Sequence, residues 1–278
     1  MAPRPLLLLT TLSLALPAAG ALLLSTYLYN YPLSASKSRT IKTSSSLSPT
    51  SSTSPSLKII NPHAYPQNSS TDSRLIILSK SEIRNLTDEE ILARFLGGFF
   101  GGWIFMPEKG IISLFQVFGR PMITVGFTGV PMNGKRILSP SALEREKLPE
   151  KGTVLLGGNF MVLDAQLKGR GEEDGEGWEG EGGGSFVEVG FGDDRRGFAG
   201  MHRFEVLRLS NSTDGKGEEV GGEDGREGEE GGGVQLWYSS ISCNPRENKL
   251  PFPKWVFGFH EFYAQCLFRD GVREVLRN

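Results

Sequence analysis

Three patterns predict an α+β domain carried on a membrane anchor. Strand-like alternations follow one another without helices between them, helical patterns stand before and after them, and a long uncharged apolar run opens the chain. Sequential strands without crossover helices imply an antiparallel sheet. The expected architecture is an antiparallel β-sheet with an N-terminal helix and a long C-terminal helix packed on it. One transmembrane helix and a disordered tether precede it. Residues 1–4 are a short flank, 5–29 a transmembrane signal-anchor, 30–73 a Ser/Thr/Pro-rich disordered tether and 74–278 the domain.

Pro5 to Tyr29 carries no charge, and about 20 apolar residues are enough to cross a bilayer as a helix. Tyr27, Tyr29 and Tyr31 suit an aromatic belt at one interface. A cleaved signal peptide, cut near Ala19-Gly20-Ala21, is one alternative. A mitochondrial presequence is another, because no acid precedes Asp72 while Arg4, Lys37, Arg39, Lys42 and Lys58 do. The expected location is therefore a membrane, single-pass, in the endomembrane system or, as the alternative, a mitochondrial membrane. Orientation stays open. Lys37, Arg39 and Lys42 follow the run and would keep the domain cytosolic, whereas the N-glycosylation sequons at Asn68, Asn85 and Asn211 point to the lumen.

The remaining length suffices for one domain with a real core. Cys243 and Cys266 are the only cysteines, so no disulfide scaffold and no zinc spacing exists. They read as buried thiols, one in a strand and one in a helix. Charge is segregated. Residues 169–184 and 211–233 are Gly/Glu low complexity and read as disordered insertions. Residues 169–184 and 214–230 together carry −11 against −2 for the whole chain, leaving +9 elsewhere. The basic remainder forms no Lys/Arg cluster interleaved with aromatics, so nucleic-acid binding is not indicated.

The first helix is expected to start at Thr87, where Thr87 and Glu90 make a capping box, and to run to Pro107. Within it Gly97, Gly98, Gly101 and Gly102 clear a face for a closely packed neighbour, the sheet or the last helix. A segment dipping into the bilayer and a glycine wall facing a ligand are the alternatives. Strands are expected at Leu75–Leu78 and at Ile123-Val125-Phe127. Others follow over Phe160–Leu167, around Val187-Val189-Phe191, around His202-Phe204-Val206 and over Val234–Cys243. Gly157-Gly158 suggests a bulge or tight bend. By strand parity Arg203 and Glu205 point away from His202 and Phe204. The last helix runs from Pro253 to Arg277; Trp255, Phe259, Phe262 and Cys266 recur at helical spacing, and Phe257, Tyr263 and Leu267 widen the stripe, which is too broad for a surface helix and should lie across the sheet.

No catalytic, cofactor or metal motif is present: no G-x-S-x-G, HExxH, P-loop or dinucleotide fingerprint. His63 falls in the tether, His202 on a strand and His260 in a helix.

The stretch Gly197-Phe198-Ala199-Gly200-Met201-His202-Arg203-Phe204-Glu205-Val206 is followed by Trp237-Tyr238-Ser239-Ser240-Ile241-Ser242-Cys243-Asn244-Pro245. A long aromatic helix ending Val275-Leu276-Arg277 closes the chain. Together these resemble the C-terminal half of an uncharacterised plant and bacterial family that is similar to the START/Bet v 1-like helix-grip superfamily. That family's Gly-His-Pro-Glu step is missing, and the two acidic insertions have no counterpart there. The chain as a whole also resembles uncharacterised fungal membrane-anchored proteins with Gly-Phe-Phe-Gly-Gly before Pro-Glu. The resemblance implies a helix-grip-like arrangement, in which sheet and helix enclose an apolar cavity, and it transfers no functional residue.

The resulting expectation is a membrane-tethered domain that binds or carries a hydrophobic small molecule or lipid. The expected cavity lining is His202, Phe204, Trp237 and Tyr238 from strands and Trp255, Phe259, Phe262 and Cys266 from the helix. The bland alternative is that these residues fill a solid core. A non-catalytic assembly protein whose acidic insertions recruit a basic partner is the second reading. An enzyme using His202 or His260 is the third.

Overall fold

The computed structural model describes residues 40–119, 124–168, 184–209 and 233–277. In chain order these hold β1 (Lys42–Ser44), α1 (Pro49–Ser52), α2 (Ser56–Ile60), β2 (Ser69–Ser79), α3 (Lys80–Ile83), α4 (Asp88–Gly101) and α5 (Met106–Val117). Then come β3 (Arg136–Ile137), β4 (Val154–Leu155), β5 (Phe160–Gln166), β6 (Ser185–Asp193), β7 (Phe198–Leu209), β8 (Gly233–Cys243) and α6 (Lys254–Leu276). The fold is α+β. One eight-stranded sheet has the order β1-β2-β8-β7-β6-β5-β4-β3, antiparallel except for the short β3–β4 pair. The anchor expected over 5–29 lies outside the described residues. Among the described ones no helix is long and apolar enough to cross a membrane.

Strand parity divides the sheet into two covered faces. On one, Val187, Val189, His202, Phe204, Val206, Leu236 and Tyr238 lie under α4 and α6. The edge-on contacts of Phe95 and Phe99 with Phe204, at 5.2 and 5.0 Å, join helix to sheet. On the other, Met161, Leu163, Ala199, Met201, Ile241 and Cys243 form a core with Val125, Phe127, Val130 and Ile60. Both cysteines are buried thiols, Cys243 in β8 and Cys266 in α6.

The second face corrects the tether. Residues 40–73 were expected to be disordered, but they form β1, α1, α2 and the start of β2. The cause is a buried charge cluster. Arg203 donates from Nη1 to Glu188 Oε1 at 2.7 Å and from Nη2 to Glu205 Oε1 at 3.3 Å, all three side chains being at most 5 % exposed. One guanidinium cannot satisfy two buried carboxylates. The Ser/Thr tract adds donors, Ser54 Oγ to Glu188 Oε1 at 2.6 Å and Thr50 Oγ1 to Glu205 Oε2, while Glu188 Oε2 accepts no hydrogen bond among the described residues. The Ser48 amide donates to Ser239 Oγ, and Ile60 completes the apolar layer beneath. A composition that reads as solvated is here a row of hydroxyl donors for buried acids.

Other differences are smaller. α4 has the expected capping box, with Glu90 N–H on Thr87 Oγ1 at 3.2 Å and Thr87 N–H on Glu90 Oε2 at 2.7 Å. It stops at Gly101 instead of continuing to Pro107, and α5 begins anew with Pro107 in its first turn. The Asp270 carboxylate of α6 accepts the Ile104 amide at 2.9 Å and so fixes the break. The strand expected around Val125 and Phe127 is a buried loop with a single bridge, Gly126 to Asp193, and Ile123 lies outside the described residues. Gly157 and Gly158 make a tight bend with φ of 68° and 103°. β2 starts at polar Ser69, six residues before the apolar stretch, because Ser69–Arg74 pair with Cys243–Tyr238 of β8. Residues 169–183 and 210–232 lie outside the described residues. They connect β5 to β6 and β7 to β8, antiparallel neighbours, and Gly233 is the first residue of β8.

Candidate functional site

Where β5 and β7 begin and β6 and β8 end, the helix-covered face stops being solid. β7 and β8 set His202 and Tyr238 diagonally across from each other, since Phe204 opposes Tyr238 and Ser240 opposes His202. A 2.9 Å hydrogen bond joins Tyr238 Oη to His202 Nδ1. Phe191 of β6 opposes Gly200. A Cβ at Gly200 would overlap the Phe191 ring. Its absence lets that ring lie 4.8 Å from the His202 ring.

The helices close the other side. The Phe99 ring of α4 stacks on Tyr238 at 5.2 Å, and Phe100 meets Phe160 at 4.9 Å. α4 and α6 approach closely because Gly98 has no side chain: a Cβ there would sit 2.6 Å from the Asp270 carbonyl oxygen and from Glu274 Cβ. At Gly102 a Cβ would overlap the Asp270 carboxylate, and at Gly271 the Phe95 ring. α5 contributes Glu108 and Ile112, and α6 contributes Val256, Phe257, His260, Tyr263, Ala264 and Leu267. These surfaces leave a cavity of about 170 Å³, rimmed by Phe198 and Phe252 with ring centroids 4.8 Å apart.

Burial shifts the titratable groups in this aromatic wall toward their uncharged forms. Burial pushes the His202 imidazole well below its usual range, and the nearby His260 and Arg74 act in the same direction. Burial also lowers His260 and raises Tyr238 and Tyr263. The two imidazoles lie parallel, 6.4 Å apart and 9° from coplanar. Glu108 is pushed up to about 7 by burial, with a hydrogen bond to Tyr263 opposing the shift. Tyr263 has one proton, and its hydroxyl donates to the Ile104 carbonyl at 3.2 Å. That single proton serves either the Ile104 carbonyl or the Glu108 carboxylate. Behind Tyr238, Arg74 pairs with Asp72 and donates to Gln265 Oε1 and the Glu261 carbonyl. Its Cζ lies 5.6 Å from the Tyr238 ring centroid.

Of the eight residues expected to line a cavity, His202 and Tyr238 do. Phe204 is buried beside it in the core. Trp237 lies on the opposite face, its indole N–H on Gln235. Cys266 is buried but outside the lining, its thiol pushed up to about 11 by burial. Trp255, Phe259 and Phe262 are 76, 61 and 49 % exposed, so they line nothing. Two stripes of α6 have helical spacing, and the inward one runs through Phe257, His260, Ala264, Leu267 and Gly271. Its small and polar members conceal it in the sequence, while the aromatic outer stripe resembles a core face.

Of the four glycines, Gly98 and Gly102 contact α6, a Cβ on Gly101 would lie 3.4 Å from Pro140, and Gly97 borders open space. Asn68 is fully buried, donating to Asn61 and to the Asn244 carbonyl, so it cannot carry a glycan in this fold. Asn85 is exposed, and Asn211 lies outside the described residues. Tyr263 belongs to the broad stripe of the last helix expected to lie across the sheet, whereas Glu108 was not among the expected site residues. The one signal for Glu108 is that no other acid lies between Glu90 and Glu144.

Chemically the site offers an apolar wall and a few hydrogen-bonding groups. No cluster of metal-ligating side chains exists among the described residues. Compared with known protein families, with curated proteins and with solved structures, the chain matches none.

Proposed function

We propose that the domain binds or carries a hydrophobic small molecule in this pocket and does so tethered to a membrane. The observation that carries the reading is the aromatic-walled cavity of about 170 Å³ with a few polar groups converging on it, the usual make-up of a small-molecule site. Cavities of roughly 150 Å³ lined by apolar side chains take up benzene. The occupant is therefore a one- or two-ring compound or a short acyl segment, not a whole two-chain lipid. A sheet overlaid by a long C-terminal helix with a cavity between them is also the arrangement that a helix-grip relationship implies, and we include that relationship in the proposal.

Two features support the membrane part. The uncharged run over 5–29 has the length of a bilayer span. In addition, α5 and the first half of α6 expose Ile111, Leu114, Phe115, Val117, Trp255 and Phe259 beside the pocket, the kind of apolar patch found at membrane or partner surfaces. The protein is read as single-pass and non-catalytic, in the endomembrane system or a mitochondrial membrane.

Titration with indole or naphthalene, followed by thermal denaturation, tests the binding. Ligands that bind only the folded state raise the melting temperature with concentration. A rise in the wild type that disappears in Val256→Trp, which fills the cavity from the first turn of α6, is the expected result. An unchanged melting temperature across a panel of such compounds would contradict it.

A further inference from the structure

We propose that the pocket's ligand is a small organic cation, an alkylated ammonium whose charge is balanced by Glu108 and whose substituents lie against the surrounding rings. This rests on the pocket being a ligand site and names the class of ligand. Among the described residues, Glu108 is the one acidic side chain in the lining, and none of the lining residues is a lysine or arginine. The Arg74 guanidinium lies behind Tyr238 and is bound by Asp72, Gln265 and the Glu261 carbonyl. Among the described residues, a carboxyl side chain therefore stands in an aromatic enclosure without a lysine or arginine to pair with it.

The rest of the enclosure suits a diffuse positive charge. Phe99, Phe105, Phe160, Phe257, Tyr238 and Tyr263 bring rings to the cavity, and ring faces attract alkylammonium groups through their quadrupoles. A neutral aromatic ligand would use the same rings but would leave a carboxyl group buried for no return. An anionic ligand would meet Glu108 and no cationic partner. The remaining titratable groups facing Glu108 are Tyr263 and His260 from α6, His202 from β7 and Tyr238 from β8, with the Asp72–Arg74 pair of β2 beyond them. Burial lowers both imidazoles and raises both phenols, shifting all four toward their uncharged forms, while Glu108 titrates at about 7. Near pH 7 Glu108 carries its proton only part of the time. A bound cation drives that proton off and replaces it as the counter-charge.

Choline and its uncharged carbon isostere 3,3-dimethylbutan-1-ol are the probes, used with the full chain in detergent and isothermal titration. At about pH 8 choline is expected to bind at least roughly tenfold more tightly than the alcohol. Choline is permanently charged, so its affinity should fall by up to about tenfold per pH unit below the Glu108 titration near 7. Glu108→Gln should bring choline down to the alcohol's affinity and remove the pH dependence between about 6 and 8. A wild-type circular dichroism spectrum and a cooperative thermal transition show that the variant is folded. Glu108→Asp should restore part of the preference. Equal or tighter binding of the alcohol by the wild type would overturn the cation assignment while leaving a neutral-ligand pocket. Binding of neither probe would overturn the assignment together with the pocket reading it rests on.

Discussion

Gly97 and Gly98 are neighbours in α4, yet alanine should act on them with opposite sign. A Cβ on Gly97 meets no atom within 4 Å. Gly97→Ala therefore gains helix propensity alone, a stabilisation of about 0.8–1 kcal/mol. A Cβ on Gly98 would lie 2.6 Å from the Asp270 carbonyl oxygen and from Glu274 Cβ, and 2.9 Å from Gly271 Cα. Ordinary contacts begin near 3.5 Å, so α6 must withdraw by about 1 Å. Two of the three obstacles are backbone, which cannot rotate aside. Overpacking of this kind costs about 1–3 kcal/mol. Withdrawal also stretches the bond from the Ile104 amide to Asp270, a charged hydrogen bond worth about 1.5–3 kcal/mol if lost. Partial loss of that bond and the overpacking together exceed the propensity gain, for a net destabilisation of about 2 kcal/mol. Equilibrium urea denaturation of the two single variants, with the slope checked against the wild type, measures both. Equal stabilisation by Gly97→Ala and Gly98→Ala would refute the close approach of α4 and α6 at Gly98.

Three further outcomes follow from the same structure. Glu108 titrates near 7 in the fold, above its ordinary carboxylate range, so its contribution is full in acid and is lost as pH rises through about 7; Glu108→Gln should stabilise the empty protein by roughly 2–3 kcal/mol near pH 8 and leave it unchanged near pH 4, by thermal or urea denaturation at the two pH values. Arg203→Met leaves Glu188 and Glu205 buried without their cation and should cost about 3–5 kcal/mol in urea denaturation, whereas a loss under 1 kcal/mol would mean that Ser54 and Thr50 suffice. Removing both acidic segments, 169–183 and 210–232, should leave the indole-induced melting shift intact; its disappearance would place those segments in the binding function.

Much of the fold was legible in the sequence because local chemistry and tertiary packing agree there. The period-two pattern of Val187-Val189-Phe191 and His202-Phe204-Val206 is the helix-facing side of the sheet, and Thr87 with Glu90 marks a helix start that needs only its own neighbours. Three features were not fully legible. The Ser/Thr tract is ordered by carboxylates more than 130 residues away in sequence, Ser54 by Glu188 and Thr50 by Glu205, and no local pattern reports such a pairing. The break between α4 and α5 depends on Asp270, again distant in sequence. The inward side of α6 was legible only in part: Phe257, Tyr263 and Leu267 lie in the broad expected stripe, but hydrophobicity does not say which edge of such a stripe meets the sheet. There the small Ala264 and Gly271 permit close packing, and the large Trp255 and Phe259 remain outside. The site was half readable for the same reason. His202 and Tyr238 lie on strands whose parity is unambiguous, while Glu108 belongs to a helix that the sequence did not announce.

The central claim is that the aromatic pocket holds a small molecule. Its most direct test is the native mass spectrum of the purified full chain, recorded beside a denatured one. The account predicts an added mass that is lost on denaturation, that extracts as a defined small compound and that is absent from Val256→Trp. A bare protein mass in repeated preparations, unchanged after incubation with indole, naphthalene or choline, would contradict it.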